Sequence, residues 1–420
     1  MADGERYRFA TRIIHTGQRA DQWQGATLPP IYQSAAHRHA TAASLHETFG
    51  GRPGEHIYMR LSNPTNSVLE EKLSRLEGGR GAIMMSSGMA AVTNTCMALL
   101  RAGDEFVAGN SLFMSTYLLF TKVFTKYGIT PRLVEPVDLE SMEREINRRT
   151  RFIYLETIGN PKMDIPDLAA VAGIARRHGL PLIVDNTLAT PYLCRPLELG
   201  ANVVIHSTTK YFSGHGDAVG GVVIDGGDFD WNQERFADFK PFVERRGELA
   251  LLDRIWREHH INFGTTAAPL HSYLTAVGLD TLALRMQRHM ANALEVALFL
   301  GGHDRVEWVN YPGLPCHSSH RNGLEQFRDR GFGGLLTFGL KDQEACFQLI
   351  DRLRMIYHLA NLGDCKTLII HPFSTQYRSF SDEERELLSI SPAMLRLSVG
   401  IEDKEDICAD LGQALDSLAP

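Results

Sequence analysis

The sequence predicts an α/β protein in which a mostly parallel sheet with helices on its faces is followed by a smaller α+β unit. From Asn63 to about Thr265, short apolar runs alternate with amphipathic stretches, which is typical of repeated strand–helix units. Runs such as Leu182-Ile183-Val184 are apolar without interruption, as in strands that are buried on both faces of a parallel sheet. After about Thr266 the pattern changes, because a long helical stretch precedes the next strand-like run.

The individual elements follow from apolar periodicity along the chain. In the first part, the pattern predicts helices at residues 67–79, 89–100, 116–128 and 167–179, and strands at 81–85, 105–109, 151–156, 180–184 and 201–205. In the second part it predicts helices at 281–300, at 344–354 and after Asp403, and a strand at 334–340. Residues 226–252 are charged and aromatic, and they indicate an inserted loop that could include a helix.

These elements predict three regions. Residues 1–62 carry scattered prolines and glycines, which favours an extended N-terminal arm that packs on a partner. Residues 63–265 form the predicted α/β domain, and residues 266–420 the smaller α+β domain. A length of 420 residues with 44% hydrophobic content is sufficient for this organisation.

Composition excludes several classes of partner. The net charge of −7 gives no broad basic field, so neither nucleic acid nor an acidic membrane surface is expected to bind. The first residues lack an apolar signal core, and no run approaches the ~18 apolar residues of a membrane span. We therefore predict a cytoplasmic protein.

Cysteine and histidine usage predicts neither disulfides nor a metal centre. The six cysteines are widely spaced without a C-x-x-C pair, which is typical of reduced packing residues. Among 17 histidines there is no H-E-x-x-H, and the segment Arg257-Glu258-His259-His260 has the wrong spacing for a helical zinc site.

Lys210 is the first candidate for chemistry. It follows the predicted strand at 201–205, and Asp185 ends the preceding one, 180–184. Ligands of open α/β sheets bind at the carboxyl ends of strands, so an amine and an acid are expected side by side there. Ser207 and Thr209 flank the lysine as hydroxyl donors.

Other predicted strands end in residues of matching chemistry. Ser87 and Gly88 stand at the start of a helix, where free N–H groups suit a phosphate. Phe113 would bring an aromatic ring to the same edge, although core packing is the commoner explanation for such a residue taken alone. Asn160 offers an amide to a ligand, and turn chemistry is its ordinary explanation.

Pyridoxal phosphate requires this combination of residue types. A lysine forms a Schiff base with it, an acid holds its ring nitrogen protonated, small donors bind its phosphate, and a flat side chain stacks on its ring. Two rival motifs are weaker. The S-x-x-K arrangement from Ser207 to Lys210 lacks the K-T-G and S-D-N of serine β-lactamases and penicillin-binding proteins. The glycine-rich stretch 214–220 departs from the dinucleotide fingerprint by one position.

Six motifs in order carry a family resemblance: Tyr58-Met59-Arg60, Asn63-Pro64-Thr65-Asn66, Ser87-Gly88-Met89, Val184-Asp185-Asn186-Thr187, 206–217 and Arg396-Leu397-Ser398-Val399-Gly400. On these, the chain closely resembles the Cys/Met-metabolism family of pyridoxal-phosphate enzymes. The resemblance implies fold type I of the PLP-dependent transferases and a homotetramer, built from two dimers with shared active sites.

The resemblance also implies roles for individual residues. Lys210 would bind the cofactor covalently and move protons, and Asp185 would pair with the ring nitrogen. Cofactor contacts are further implied for Ser87, Gly88, Met89, Phe113, Asn160, Thr187, Ser207 and Thr209, and for Tyr58 and Arg60, which would reach the phosphate of the neighbouring subunit. Because Phe113 has no phenol to relay protons, Tyr58 would share proton transfer with Lys210 and is the second candidate catalytic residue. Arg396 would bind the α-carboxylate of the amino-acid substrate, near Asn361 and Thr375.

The reaction implied is loss of a γ-substituent, followed either by addition of a nucleophile or by hydrolysis to a keto acid. The inserted segments look most like O-acetylhomoserine sulfhydrylases, which combine O-acetylhomoserine with sulfide; a γ-lyase acting on methionine, canavanine or cystathionine is the alternative. Ser115 stands where methionine γ-lyases have a cysteine, and Phe113 replaces a ring-stacking tyrosine. The segment 373–377 also differs from that of the sulfhydrylases. A cofactor-binding protein without catalysis is disfavoured because Lys210, Asp185 and Arg396 are all present.

Overall fold

A seven-stranded sheet forms the centre of the first part of the chain in the computed structural model, which describes residues 7–17, 24–50 and 55–418. Its strands are β1 (Gly81–Met85), β2 (Glu105–Gly109), β3 (Thr130–Val134), β4 (Thr150–Glu156), β5 (Leu182–Asp185), β6 (Val203–Ser207) and β7 (Gly221–Asp225). They lie side by side in the order β1-β7-β6-β5-β4-β2-β3.

The direction of the strands determines where a site can form. Strands β2 to β6 pair in parallel, whereas β7 lies antiparallel between β6 and β1. Strand β1 therefore runs in the same direction as β6. The carboxyl ends of β1, β2, β4, β5 and β6 meet at one edge of the sheet, as predicted for an α/β protein.

Helices connect and cover these strands. They are α1 (Phe9–His15), α2 (Ala42–Phe49), α3 (Pro64–Glu77), α4 (Gly88–Leu99), α5 (Met114–Leu118), α6 (Leu139–Arg144), α7 (Leu168–Arg177), α8 (Thr190–Leu193), α9 (Lys240–Arg246), α10 (Ala250–Arg254), α11 (Ile261–Phe263) and α12 (Pro269–Leu279). Local sequence explains their ends. Asn63 caps α3 by accepting a hydrogen bond from the Thr65 N–H, and Gly78 ends the helix at φ +87°.

The predicted helix at 116–128 is broken in the structure. Helix α5 passes into a π turn (Leu119–Val123) and then a 3₁₀ turn (Phe124–Tyr127). The hydroxyls of Thr121 and Thr125 donate to carbonyls four residues earlier, at 2.8 and 2.9 Å, which disturbs a regular helical ladder. Strand β3, which we did not predict, follows; Pro131 weakens its strand signal but is tolerated because β3 is an edge strand.

The second part contains a five-stranded sheet. Its strands β8 (Trp308–Asn310), β9 (Leu335–Gly339), β10 (Tyr357–His358), β11 (Leu368–Ile370) and β12 (Met394–Ser398) lie in the order β10-β11-β12-β9-β8. All pairs are antiparallel except β10 with β11. Its helices are α13 (Leu282–Gly301), α14 (His320–Phe327), α15 (Gln343–Arg352), α16 (Asp382–Leu387) and α17 (Lys404–Asp416). The α+β character of this part is confirmed.

The segment 226–252 is not a loop, contrary to our expectation. It is mostly helical, with 3₁₀ turns at Glu234–Phe239 and Gly247–Leu249 beside α9 and α10. Trp231, Phe236 and Phe239 are buried, and the rings of Trp231 and Phe239 stack at 4.4 Å. Burial of these aromatic rings stabilises a packed structure that the charged residues of the segment conceal in the sequence.

Helices α1 and α2 lie in the region predicted as an arm, and Ile13 of α1 is buried. Part of that region falls outside the described residues, and its packing on a partner stays a prediction, as do the boundaries at 62 and 265. Within the described ranges, no helix has both the length and the apolar character needed to cross a membrane.

Candidate active site

A cavity of about 260 Å³ lies at the carboxyl edge of the first sheet. Each strand ending there contributes to its wall, and the second part of the chain closes it. Residues predicted for the site that line it are Ser87, Gly88, Met89, Phe113, Asn160, Asp185, Thr187, Ser207, Thr209, Lys210, Asn361 and Arg396. The structure thus brings together twelve predicted residues from positions as far apart as 87 and 396.

Lys210 follows β6 and places its amine inside this cavity. Its Nζ donates to Oδ1 of Asn361 at 2.6 Å. Burial, and to a lesser extent the charge of nearby Arg396, lowers the pKa of Lys210 from 10.5 to about 8. A larger fraction of the amine is therefore neutral near physiological pH, and only the neutral amine can act as a nucleophile or accept a proton.

Asp185 ends β5 and faces the same cavity. Its Oδ1 accepts hydrogen bonds from the Thr187 N–H at 3.0 Å and from the Thr187 hydroxyl at 2.5 Å. Burial raises the pKa of Asp185, while these two hydrogen bonds act in the opposite direction. A protonated ring nitrogen beside this carboxylate would supply the positive partner that keeps it ionised, so the acid fits the pyridine ring of the cofactor.

The start of α4 provides the geometry expected for a phosphate. Ser87 caps the helix by accepting from the Ala90 N–H at 3.0 Å. A Cβ on Gly88 would lie 2.7 Å from the Cβ of Ser207. Only glycine therefore lets the start of α4 pack this closely against Ser207, with its backbone N–H groups beside the Ser207 side chain. The hydroxyls of Ser207 and Thr209 complete a donor set that suits the cofactor phosphate.

Phe113 lines the cavity, so the alternative of a core residue is not supported. Its backbone N–H donates to Oε1 of Glu156 at 2.6 Å. Burial, followed by the charge of Asp185, raises the pKa of Glu156 well above its usual value. Glu156 is not among the predicted site residues, although it ends an apolar run as Asp185 does.

Arg396 lies in β12 with only 3% of its surface exposed, so it is not a surface charge. Its Nη1 donates to Oδ1 of Asn160 at 3.1 Å and its Nη2 to the Asn361 carbonyl at 3.4 Å. Burial lowers its pKa to about 10. No ion pair joins Arg396 to a carboxylate in the part of the chain that the structure describes. A carboxylate that entered the cavity would therefore meet a guanidinium that has no acidic partner among the described residues.

Three predicted residues lie outside the cavity wall. Tyr58 is 44% exposed, and the Arg60 guanidinium lies 5.7 Å from its ring centroid and donates to the Ile261 carbonyl. The exposed Thr375 donates its hydroxyl to the His371 carbonyl at 2.7 Å, so this bond within its own loop occupies it. Its neighbour Gln376 lines the cavity instead, and no donor among the described residues bonds to its buried Oε1.

The glycine-rich stretch 214–220 connects β6 to β7, and β7 starts directly after it. A dinucleotide fingerprint would need a helix at this point, so that rival interpretation is wrong.

Comparisons with known proteins agree with this geometry. A profile of the family described as "Cys/Met metabolism PLP-dependent enzyme" matches residues 10–416. The homocysteine/cysteine synthase of Saccharomyces cerevisiae is 37% identical over 98% of this chain and 98% of its own, and the L-methionine gamma-lyase of Pseudomonas putida is 39% identical over the same shares. A putative O-acetylhomoserine (thiol)-lyase from Campylobacter jejuni, solved with a pyridoxyl-lysine monophosphate, has a TM-score of 0.94 at 34% identity, covering 98% of this chain and 100% of that chain. The chain therefore belongs to the Cys/Met-metabolism family of PLP-dependent enzymes.

Proposed function

We propose that this enzyme catalyses γ-replacement on an O-activated homoserine, converting O-acetylhomoserine and sulfide or a thiol to homocysteine or a thioether and acetate. The main support for this reaction is that one cavity encloses Lys210, Asp185 and the guanidinium of Arg396, which has no acidic partner among the described residues. The substrate is supported by relatives named homocysteine synthase and O-acetyl-L-homoserine sulfhydrylase, the latter from Leptospira meyeri at 37% identity over 98% of this chain.

Residues of this chain would position the cofactor and the substrate. When bound, pyridoxal phosphate withdraws electrons from the substrate Cα and so stabilises negative charge there. Asp185 would pair with its ring nitrogen, Phe113 would stack on the ring, and the N–H groups at Gly88 and Met89 would bind its phosphate together with Ser207 and Thr209. Arg396 would hold the substrate carboxylate through two parallel hydrogen bonds.

Proton transfer falls mainly to Lys210. Its amine would take the proton from Cα, and its lowered pKa of about 8 allows it to accept and return protons during turnover. Once it has passed the Cα proton on, the neutral amine would take the Cβ proton as the γ-substituent leaves. Phe113 carries no phenol that could share this work on the cofactor face. Tyr58 of an adjoining subunit is the second proposed proton carrier.

We further propose a homotetramer with shared active sites. The exposed Tyr58 and Arg60 support this, because they do not contribute to the cavity of their own chain. The proposed division into an arm (1–62), a cofactor-binding domain (63–265) and a C-terminal domain (266–420) follows the two sheets. A cytoplasmic location is supported by six cysteines that are all free of disulfides.

A substrate panel tests the reaction. We expect homocysteine to form rapidly from O-acetylhomoserine and sulfide, with little keto acid from methionine, canavanine or cystathionine supplied alone. Homocysteine and keto acid would be quantified in parallel, with Lys210→Ala protein as the background. Rapid keto acid formation from methionine or canavanine would instead establish the γ-lyase alternative, which the Pseudomonas putida relative keeps open.

A further inference from the structure

A second cavity, of about 140 Å³, has no residue in common with the active-site cavity. Four arginines from three separate segments line it. Arg12 belongs to α1, Arg195 follows α8, and Arg328 and Arg330 follow α14. Such convergence of like charges opposes folding unless something compensates it.

Charge compensation within this arginine cavity is incomplete. Among the described residues, Glu198 is the only carboxylate in its lining; it contacts Arg195 directly and Nη2 of Arg328 at 3.3 Å. The other two guanidinium groups donate to neutral carbonyls. Arg12 Nη2 lies 2.9 Å from the Arg75 carbonyl, and Arg330 Nη1 lies 2.7 Å from that of Tyr192. Four positive charges thus face one negative charge.

A second carboxylate, Glu77, acts on Arg195 electrostatically but does not line the cavity. Its Oε1 accepts hydrogen bonds from Asn186 at 2.8 Å and binds His206 at 2.6 Å, and its buried Oε2 has no hydrogen-bond partner among the described residues. Burial, followed by the charge of Arg12, lowers the pKa of Arg195. Even when Glu77 is counted, the described residues set four guanidinium groups against two carboxylates, so the cavity keeps an excess of positive charge.

Two buried donors of the lining have no acceptor in the described part of the chain. They are Nε of Arg12 and Nε2 of Gln326. The orientation of the Gln326 amide is determined independently, since its Oε1 accepts the Leu168 N–H at 3.1 Å. A ligand made only of acceptors would satisfy both donors, and buried donors are rarely left unpaired in native proteins.

We propose that the arginine cavity binds a small multivalent anion, a metabolite that carries phosphate groups or several carboxylates. Guanidinium groups match both chemistries because their planar forks form paired hydrogen bonds with either oxyanion. The excess positive charge requires a ligand with at least two negative charges. This site is independent of the reaction proposed for Lys210.

Calorimetric titration of the cofactor-loaded enzyme tests the proposal, since bound cofactor keeps the probes out of its own phosphate site. Pyrophosphate and citrate are the probes, and acetate is the monovalent control. We expect one saturable site per chain for pyrophosphate, citrate or both, and no saturable binding of acetate. The tighter of the two probes identifies the chemistry as phosphate or polycarboxylate.

Arginine variants test whether the anion binds in the arginine cavity. The double substitution Arg328→Gln and Arg330→Gln alters exposed side chains, so the fold should persist; circular dichroism and turnover check this. We expect its dissociation constant to rise at least tenfold. Arg321→Gln, on α14 with 88% of its side chain exposed, removes the same charge outside the cavity and should change nothing. Absence of saturable binding in the native enzyme, or equal affinity in the double variant, would overturn the proposal.

Discussion

Replacing Lys210 by alanine is expected to reduce kcat by at least about a thousandfold, because the variant loses both the covalent attachment of the cofactor and the amine that moves protons. No other amine lines the cavity among the described residues, so none can substitute. Cofactor should still bind without a covalent bond, through the donors near Gly88 and the carboxylate of Asp185. Steady-state assays with O-acetylhomoserine and sulfide measure the loss.

The matched control is Lys404→Ala. Lys404 begins α17 and pairs with Glu295 at 3.4 Å on the surface, far from the cavity lining. This variant should keep full activity. Appreciable turnover by the Lys210→Ala enzyme would remove Lys210 from both of its proposed roles.

Replacing Arg396 by alanine is expected to weaken the use of substrate by about 2–5 kcal/mol, the usual cost of truncating one partner of a buried charge pair. At about 1.4 kcal/mol per factor of ten, kcat/KM should fall roughly thirtyfold or more. The effect should appear largely in KM, because the role proposed for Arg396 is to bind the carboxylate and not to transfer protons. Steady-state kinetics over a range of O-acetylhomoserine concentrations resolve the two constants.

Arg396→Lys provides the sharper comparison, since it keeps the charge but loses the planar fork that gives two parallel hydrogen bonds. It should recover part of the lost affinity. Arg288→Ala, which removes an exposed arginine paired with Asp403 at 2.6 Å, serves as the control for loss of charge. An unchanged KM in the Arg396→Ala enzyme would contradict the carboxylate-binding role.

Position at the end of a strand made most of the site predictable. In a parallel sheet the carboxyl ends share an edge, so Asp185 after β5 and Lys210 after β6 had to lie close together once their strands were recognised. The same argument brought Ser87 and Phe113 to that edge. Arg396 comes from a different sheet, and only the family resemblance indicated its role.

The remaining differences between the sequence-based predictions and the structure have local physical causes. The contact of Glu156 with the Phe113 N–H depends on how β4 packs beside β2, which periodicity does not specify. The hydroxyl of Thr375 donates to the His371 carbonyl within its own loop, and Thr375 does not line the cavity. Trp231 and its neighbouring rings are buried through tertiary contacts. The sequence does not indicate this burial, because the segment also contains many charged residues.

Peptide mapping after borohydride reduction of the cofactor-loaded enzyme tests the central claim most directly, because reduction makes the lysine–cofactor bond permanent. We expect the pyridoxyl modification on the peptide that contains Lys210, with one cofactor per chain and loss of the yellow absorbance. Modification at a different lysine, or protein that stays colourless and unmodified after addition of pyridoxal phosphate, would contradict the account.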